Sequence, residues 1–134
     1  MFPKIFVNLP VKDLARSMEF FTALGFSFNP QFTDETAASM VVSEDIYVML
    51  LTEARFQDFT PKAVADARQS TEVLVSFALE SRQAVEEIVR KAFEAGAANY
   101  AEAKDYGFMY QHGFEDLDGH IWEFVYMDPA HVNE

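Results

Sequence analysis

The stretch FEDLDGHIWEF, Phe114 to Phe124, decides how this chain is read. Its last residues run on through Val125 and Tyr126 as β-branched and aromatic side chains, the composition of a buried strand, yet Glu123 stands in the middle. Upstream, GFMYQHGFE reads as a second strand, and DLDG between them is a tight turn in which Gly119 can take a positive φ. The pair is a hairpin, and its loop length decides which side chains share a face. A two- or four-residue loop sets His112 across from Glu123 and Tyr110 across from Val125, a His-Glu-Tyr cluster. A three-residue loop with a glycine bulge brings Gln111 and Gly113 to that face instead.

Ahead of the hairpin lie TEVLVSFALES, a strand, and RQAVEEIVRKAFEAG, an amphipathic helix with Val85, Ile88, Val89, Ala92 and Phe93 on one side, then AANYAEA, a further strand. The N-terminal half has the same order. KIFVNLPV is a strand, and KDLARSMEFFTALGF is a helix with Leu14, Met18, Phe21 and Leu24 at helical spacing, Asp13 placed to cap it and Gly25 behind it. SFNPQFT, TAASMVV and IYVMLLT follow as short strands. The unit is βαβββ twice, over residues 4–53 and 72–128 of a single domain spanning 1–134. Residues 54–71 between them are polar, with Pro61 and the apolar anchors Phe56 and Phe59, and read as a linker or as a lid over a site.

Composition narrows the partners. Half of the residues are apolar, enough for a sizeable core, and 22 acidic against 10 basic residues give a formal charge of -12. Such a surface repels phosphate backbones and anionic lipid, so no nucleic acid and no membrane is expected as a partner. The absence of cysteine removes disulfides, thiolate nucleophiles and thiolate metal sites together. MFPKIFVNLPVKDL lacks the pattern of a signal peptide, and no run approaches the roughly 20 apolar residues of a membrane span, so a cytoplasmic location is expected.

LPVKDLARSMEFFTALGF near the start, taken with FEDLDGHIWEF near the end, resembles the vicinal oxygen chelate superfamily, which includes glyoxalase I, the extradiol dioxygenases, fosfomycin-resistance enzymes and bleomycin-binding proteins. The resemblance implies an α+β fold, paired βαβββ modules forming a curled mixed sheet whose cup holds a small molecule, with a homodimer as the expected assembly. Metal-dependent members place a His, Gln or Glu on the first and last strand of each module around a divalent cation. Mapping by the V-x-D-L pattern at Val11 and by DLDGHIWE puts those positions at Phe6, Leu50, Leu74 and Glu123, of which only Glu123 can bind a metal. His112, His120 and His131 all lie in the last quarter of the chain, and His120 and Glu123 point to opposite faces of a strand. No cofactor is therefore expected, with a divalent metal at Glu123 as the alternative. The resemblance also favours the register that turns His112 toward the helix side.

With Phe6, Leu50 and Leu74 lining one cavity, Glu123 would stand in an apolar cup beside Val48, Ala78 and Val125, where desolvation raises a carboxyl pKa and makes it a candidate catalytic base. A hydrogen-bonding neighbour that ties Glu123 down is the competing reading. His112 is the second candidate acid or base. Candidate ligand-binding residues are Asn8 on the face of Phe6, Ser76 on the face of Leu74, and Tyr110 or Gln111 according to register. The function expected is binding of a small, largely apolar molecule without the usual metal. The alternatives are a glyoxalase-type lyase or antibiotic-modifying enzyme using Glu123 with a metal, and a dimeric interaction module whose cup is filled by Phe6, Phe77 and Tyr47.

Overall fold

The computed structural model describes residues 1–132. Two compact units divide the chain, Met1–Ala65 and the part from Asp66 onward. The first contains β1 (Ile5–Val11), α1 (Leu14–Ala23), β2 (Ser27–Phe28), β3 (Ala37–Val41), β4 (Ile46–Thr52) and a short α2 (Glu53–Gln57). Its strands lie in the order β1-β4-β3-β2, with β1 parallel to β4 and the other pairs antiparallel. Asp13 caps α1 as expected, its carboxylate accepting from the Arg16 amide at 3.1 Å. Strand alternation sends Val11, Ala38, Met40, Val48 and Leu50 to one buried face, the one closed by Phe20 and Phe21 of α1. Each such valine, leucine, methionine or phenylalanine contributes roughly 1.5–3 kcal/mol on burial.

SFNPQFT yields less strand than its composition suggests. Only Ser27–Phe28 pairs, because Pro30 has no amide to donate to a ladder and Asn29 turns the chain into a 3-10 turn, Pro30–Phe32, by accepting from the Gln31 amide at 3.0 Å.

The second unit repeats the plan with β5 (Leu74–Ala78), α3 (Arg82–Glu94), β6 (Lys104–Asp105), β7 (Met109–Glu115) and β8 (Ile121–Met127), followed by a single turn of helix, α4 (Pro129–Val132). Its order, β5-β8-β7-β6, matches the first. The curled sheet expected from the resemblance is thus two four-stranded mixed sheets, one for each βαβββ module. Val85, Val89 and Ala92 of α3 are buried, as are Phe114, Trp122 and Phe124 of the hairpin it covers. AANYAEA adds no strand; its backbone joins the sheet through an isolated bridge from Ala98 to Glu115.

The hairpin pairs Gly113 with Glu123, Phe114 with Trp122 and Glu115 with Ile121. Asp116 organises the turn. Its carboxylate is buried and accepts from the amides of Asp118 (2.9 Å) and His120 (3.0 Å) and from the Trp122 indole nitrogen (2.8 Å). Burial pushes this carboxyl above the usual carboxylate range. Gly119 has φ +92°, and a Cβ there would meet the Arg68 backbone nitrogen at 2.8 Å, so no other residue fits. The Arg68 guanidinium reaches over the same turn and donates to the Leu117 carbonyl. Among the described residues no helix is long and apolar enough to cross a membrane.

Candidate functional site

In the second unit Glu123 occupies the face of β8 turned away from Trp122 and Phe124, which are buried. Ser76 sits directly across on β5 and donates its hydroxyl to Oε1 at 2.8 Å. On the other side, β7 presents Gly113. A Cβ at that position would lie 2.2 Å from the Trp122 carbonyl oxygen and 3.0 Å from the Tyr100 hydroxyl. The missing side chain is the notch through which Tyr100, from the segment between α3 and β6, reaches Glu123 and donates to Oε2 at 3.0 Å. Burial first, and then the bond to Glu123, push the Tyr100 phenol well above the ordinary tyrosine range. Glu123 is half-buried and held by two neutral donors, the tied-down arrangement.

Leu74, Ser76 and Ala78 share the face of Glu123 and Val125, and Gln111 joins them across from Val125. Tyr110 and His112 do not. The hairpin register turns them to the α3 side, where Tyr110 is buried beneath the Arg82 guanidinium, 4.2 Å from its ring centre. The His112 ring stands edge-on to Phe93 at 5.9 Å, with Nε2 3.2 Å from the Ala101 carbonyl. A His-Glu-Tyr cluster built from His112 and Tyr110 does not form; the phenol beside Glu123 belongs to Tyr100. Next to this trio is a small pocket of about 40 Å³ lined by Tyr100, Ala101, Glu102, Lys104, Gln111, His112, Gly113 and Glu123.

A larger pocket, about 480 Å³, opens in the first unit. Its walls include Phe6, Asn8, Asn29, Phe32, Tyr47 and Met49. The Phe6 and Tyr47 rings stack at 5.1 Å with 14° between their planes. Lys4 lies at the rim, held 3.6 Å from Asp45 and 5.4 Å over the Tyr47 ring. Leu50 is not part of it. The parallel pairing sets Asn8 beside Met49 and Leu9 beside Leu50, so Leu50 and Val48 turn into the core and Met49 takes the place foreseen for Leu50.

The positions assigned to metal ligands now read Phe6 and Met49 in the first unit and Leu74 and Glu123 in the second. A phenyl ring, a thioether and an isobutyl group offer no hard nitrogen or oxygen donor, and Glu123 already accepts from Ser76 and Tyr100. Among the described residues no group of three His, Asp or Glu side chains is placed to hold a metal ion.

Residues 5–43 match the bleomycin resistance protein-like N-terminal family. The structure of hypothetical protein SA1046 from Staphylococcus aureus is 30% identical, with 94% of this chain and 95% of that chain covered and a TM-score of 0.79. A glyoxalase/bleomycin resistance protein/dioxygenase family enzyme from Burkholderia phytofirmans has the same fold, at 15% identity, 91% and 96% coverage and a TM-score of 0.74. The chain carries a bleomycin resistance protein-like N-terminal segment and has the fold of glyoxalase/bleomycin resistance/dioxygenase proteins. FosX, a genomically encoded fosfomycin resistance protein from Listeria monocytogenes, shares this fold at 17% identity, 91% and 88% coverage and a TM-score of 0.65. No curated protein matches the sequence.

Tyr100 is the site residue that sequence reading missed. It lies in a segment read as a strand, with no motif around it. The available signal was Gly113, a glycine inside a strand directly opposite the one buried-strand carboxylate, since such a glycine marks the close approach of another group.

Proposed function

We propose that this protein binds a small, largely apolar molecule, that the pocket around Phe6 and Tyr47 is its seat, and that binding needs no divalent metal. The observation that carries this reading is the pocket itself. Its volume of about 480 Å³ lies within the roughly 300–1,000 Å³ of small-molecule sites. Phe6, Phe32, Tyr47 and Met49 supply an apolar wall, and the amides of Asn8 and Asn29 supply a few polar groups to orient a ligand. Phe6 is 53% exposed and Phe32 is 61% exposed, large rings in contact with water.

The test is titration with the apolar dye Nile red, followed by its fluorescence. Binding that persists in excess EDTA and is lost in Phe6→Ala and Met49→Lys supports the reading. Dye that does not bind, or binds equally to both variants, overturns it. A second copy of the chain is part of the same proposal. β1 and β5 are edge strands of their sheets, and Ile5 and Leu74 on them are each 53% exposed, which supports burial against a partner copy. Sedimentation velocity measures this directly, and a monomer at all concentrations removes the dimer from the proposal.

A further inference from the structure

We propose that the corner formed by Glu123, Tyr100 and Gln111 receives the protonated primary amine of a small molecule, an inference that rests on reading this protein as a small-molecule binder. Size is the first support. The adjoining pocket of about 40 Å³ exceeds the roughly 10–15 Å³ of such space that one water needs, which suits an ammonium head and excludes a ring.

Acceptors are the second. A carboxylate presents about four lone-pair directions, and Ser76 and Tyr100 use two of those on Glu123. The Tyr100 hydroxyl, its proton committed to Glu123, offers its own lone pairs, and Gln111, whose side-chain carbonyl can accept, lines the same pocket. The three residues that can accept thus match in number the three donors of an ammonium. Gly113 keeps the space open, because any Cβ there would press against the Tyr100 hydroxyl.

Charge is the third. Glu123 has only neutral hydrogen-bond donors, and among the described residues none of the ion pairs includes it. Lys104 and Glu102 line the same pocket, and among the described residues Lys104 makes no ion pair with Glu123. The formal charge of -12 on the whole chain draws cations and repels anions at long range.

Matched probes test this on the full chain: benzylamine, benzyl alcohol and benzoate, each titrated while backbone amide resonances are followed. Benzylamine is expected to bind about tenfold or more tightly than benzyl alcohol, with shifts centred on Gly113 and Glu123, and benzoate is expected to leave those resonances in place. Glu123→Gln is expected to remove the preference for the amine; Gln111→Leu, a substitution on the open face of the sheet, is expected to weaken it. Equal binding of amine and alcohol, an amine affinity unchanged in Glu123→Gln, or no shift at Gly113 overturns the inference. Shifts at Asn8 and Met49 report separately on the Phe6 pocket, so the amine site can fail while the apolar seat stands, and the reverse.

Discussion

The Tyr100 hydroxyl donates to Glu123 Oε2 at 3.0 Å, across a strand position where Gly113 has no side chain. Burial and this bond disfavour the phenolate, so Tyr100 ionises above the ordinary tyrosine value of about 10. The stability that comes from the neutral phenol is present below that ordinary value and is lost as pH rises through the higher folded-state value. Alkaline titration of phenolate absorbance should show a late-ionising tyrosine among the five, and Glu123→Gln should bring it to lower pH. A titration unchanged by Glu123→Gln would break the link.

Gly113→Ala should be among the most damaging single-methyl additions in this protein. The new Cβ would sit 2.2 Å from the Trp122 carbonyl oxygen, a backbone atom that cannot swing aside. Overpacking of this kind costs about 1–3 kcal/mol, and backbone strain puts the expectation at the upper end. Urea unfolding measures it; a loss under about 0.5 kcal/mol, the range of an ordinary surface change, would refute the notch.

Asp116→Asn keeps one carbonyl oxygen but turns amide hydrogens toward a donor. The carboxylate serves two backbone amides and the Trp122 indole at once, and the amide cannot serve all three. Leaving a buried donor unmet costs about 1–3 kcal/mol. Combining Asp116→Asn with Trp122→Phe should show non-additive losses in a double-mutant cycle, whereas additive losses would mean the indole bond carries little.

Phe6→Ala should separate stability from binding. The ring is 53% exposed, so its loss removes chiefly the stacking on Tyr47, a pair contribution of about 0.5–1.5 kcal/mol. Dye binding should fall while the unfolding midpoint moves little. A large drop in stability together with unchanged binding would instead mark Phe6 as a packing residue.

Nickel, zinc and manganese should leave the melting temperature of the purified protein where it was, because in the second unit Leu74 offers no hard donor beside the engaged Glu123, and in the first Phe6 and Met49 offer none. A saturable upward shift with one of these ions, abolished by Glu123→Gln, would overturn the metal-free reading.

Much of the fold is written locally. Asp13 and the apolar spacing of Leu14, Phe21 and Leu24 mark α1, and the repeat appears because each module presents the same order of periodicities. The hairpin register left two outcomes open from sequence, since a single extra loop residue reverses every face; Asp116 settles it by gathering the donors of its own turn. Leu50 failed for the same reason. In IYVMLLT nearly every residue is apolar, so composition carries no alternation, and only the pairing with β1 shows that Met49 faces outward. Tyr100 was out of reach because its partner is 23 residues away and its segment has no regular backbone.

Arg68 lies across Gly119 and binds the Leu117 carbonyl, so the stretch joining the two repeats is already fastened to the second one at Asp66. Its span beyond the Lys62 carbonyl, which accepts from the Gln57 side chain, is then short, from Ala63 to Ala65. A circular permutant or an inserted reporter tag belongs in that span; the same graft placed three residues later would prise Arg68 off the turn that aligns Trp122.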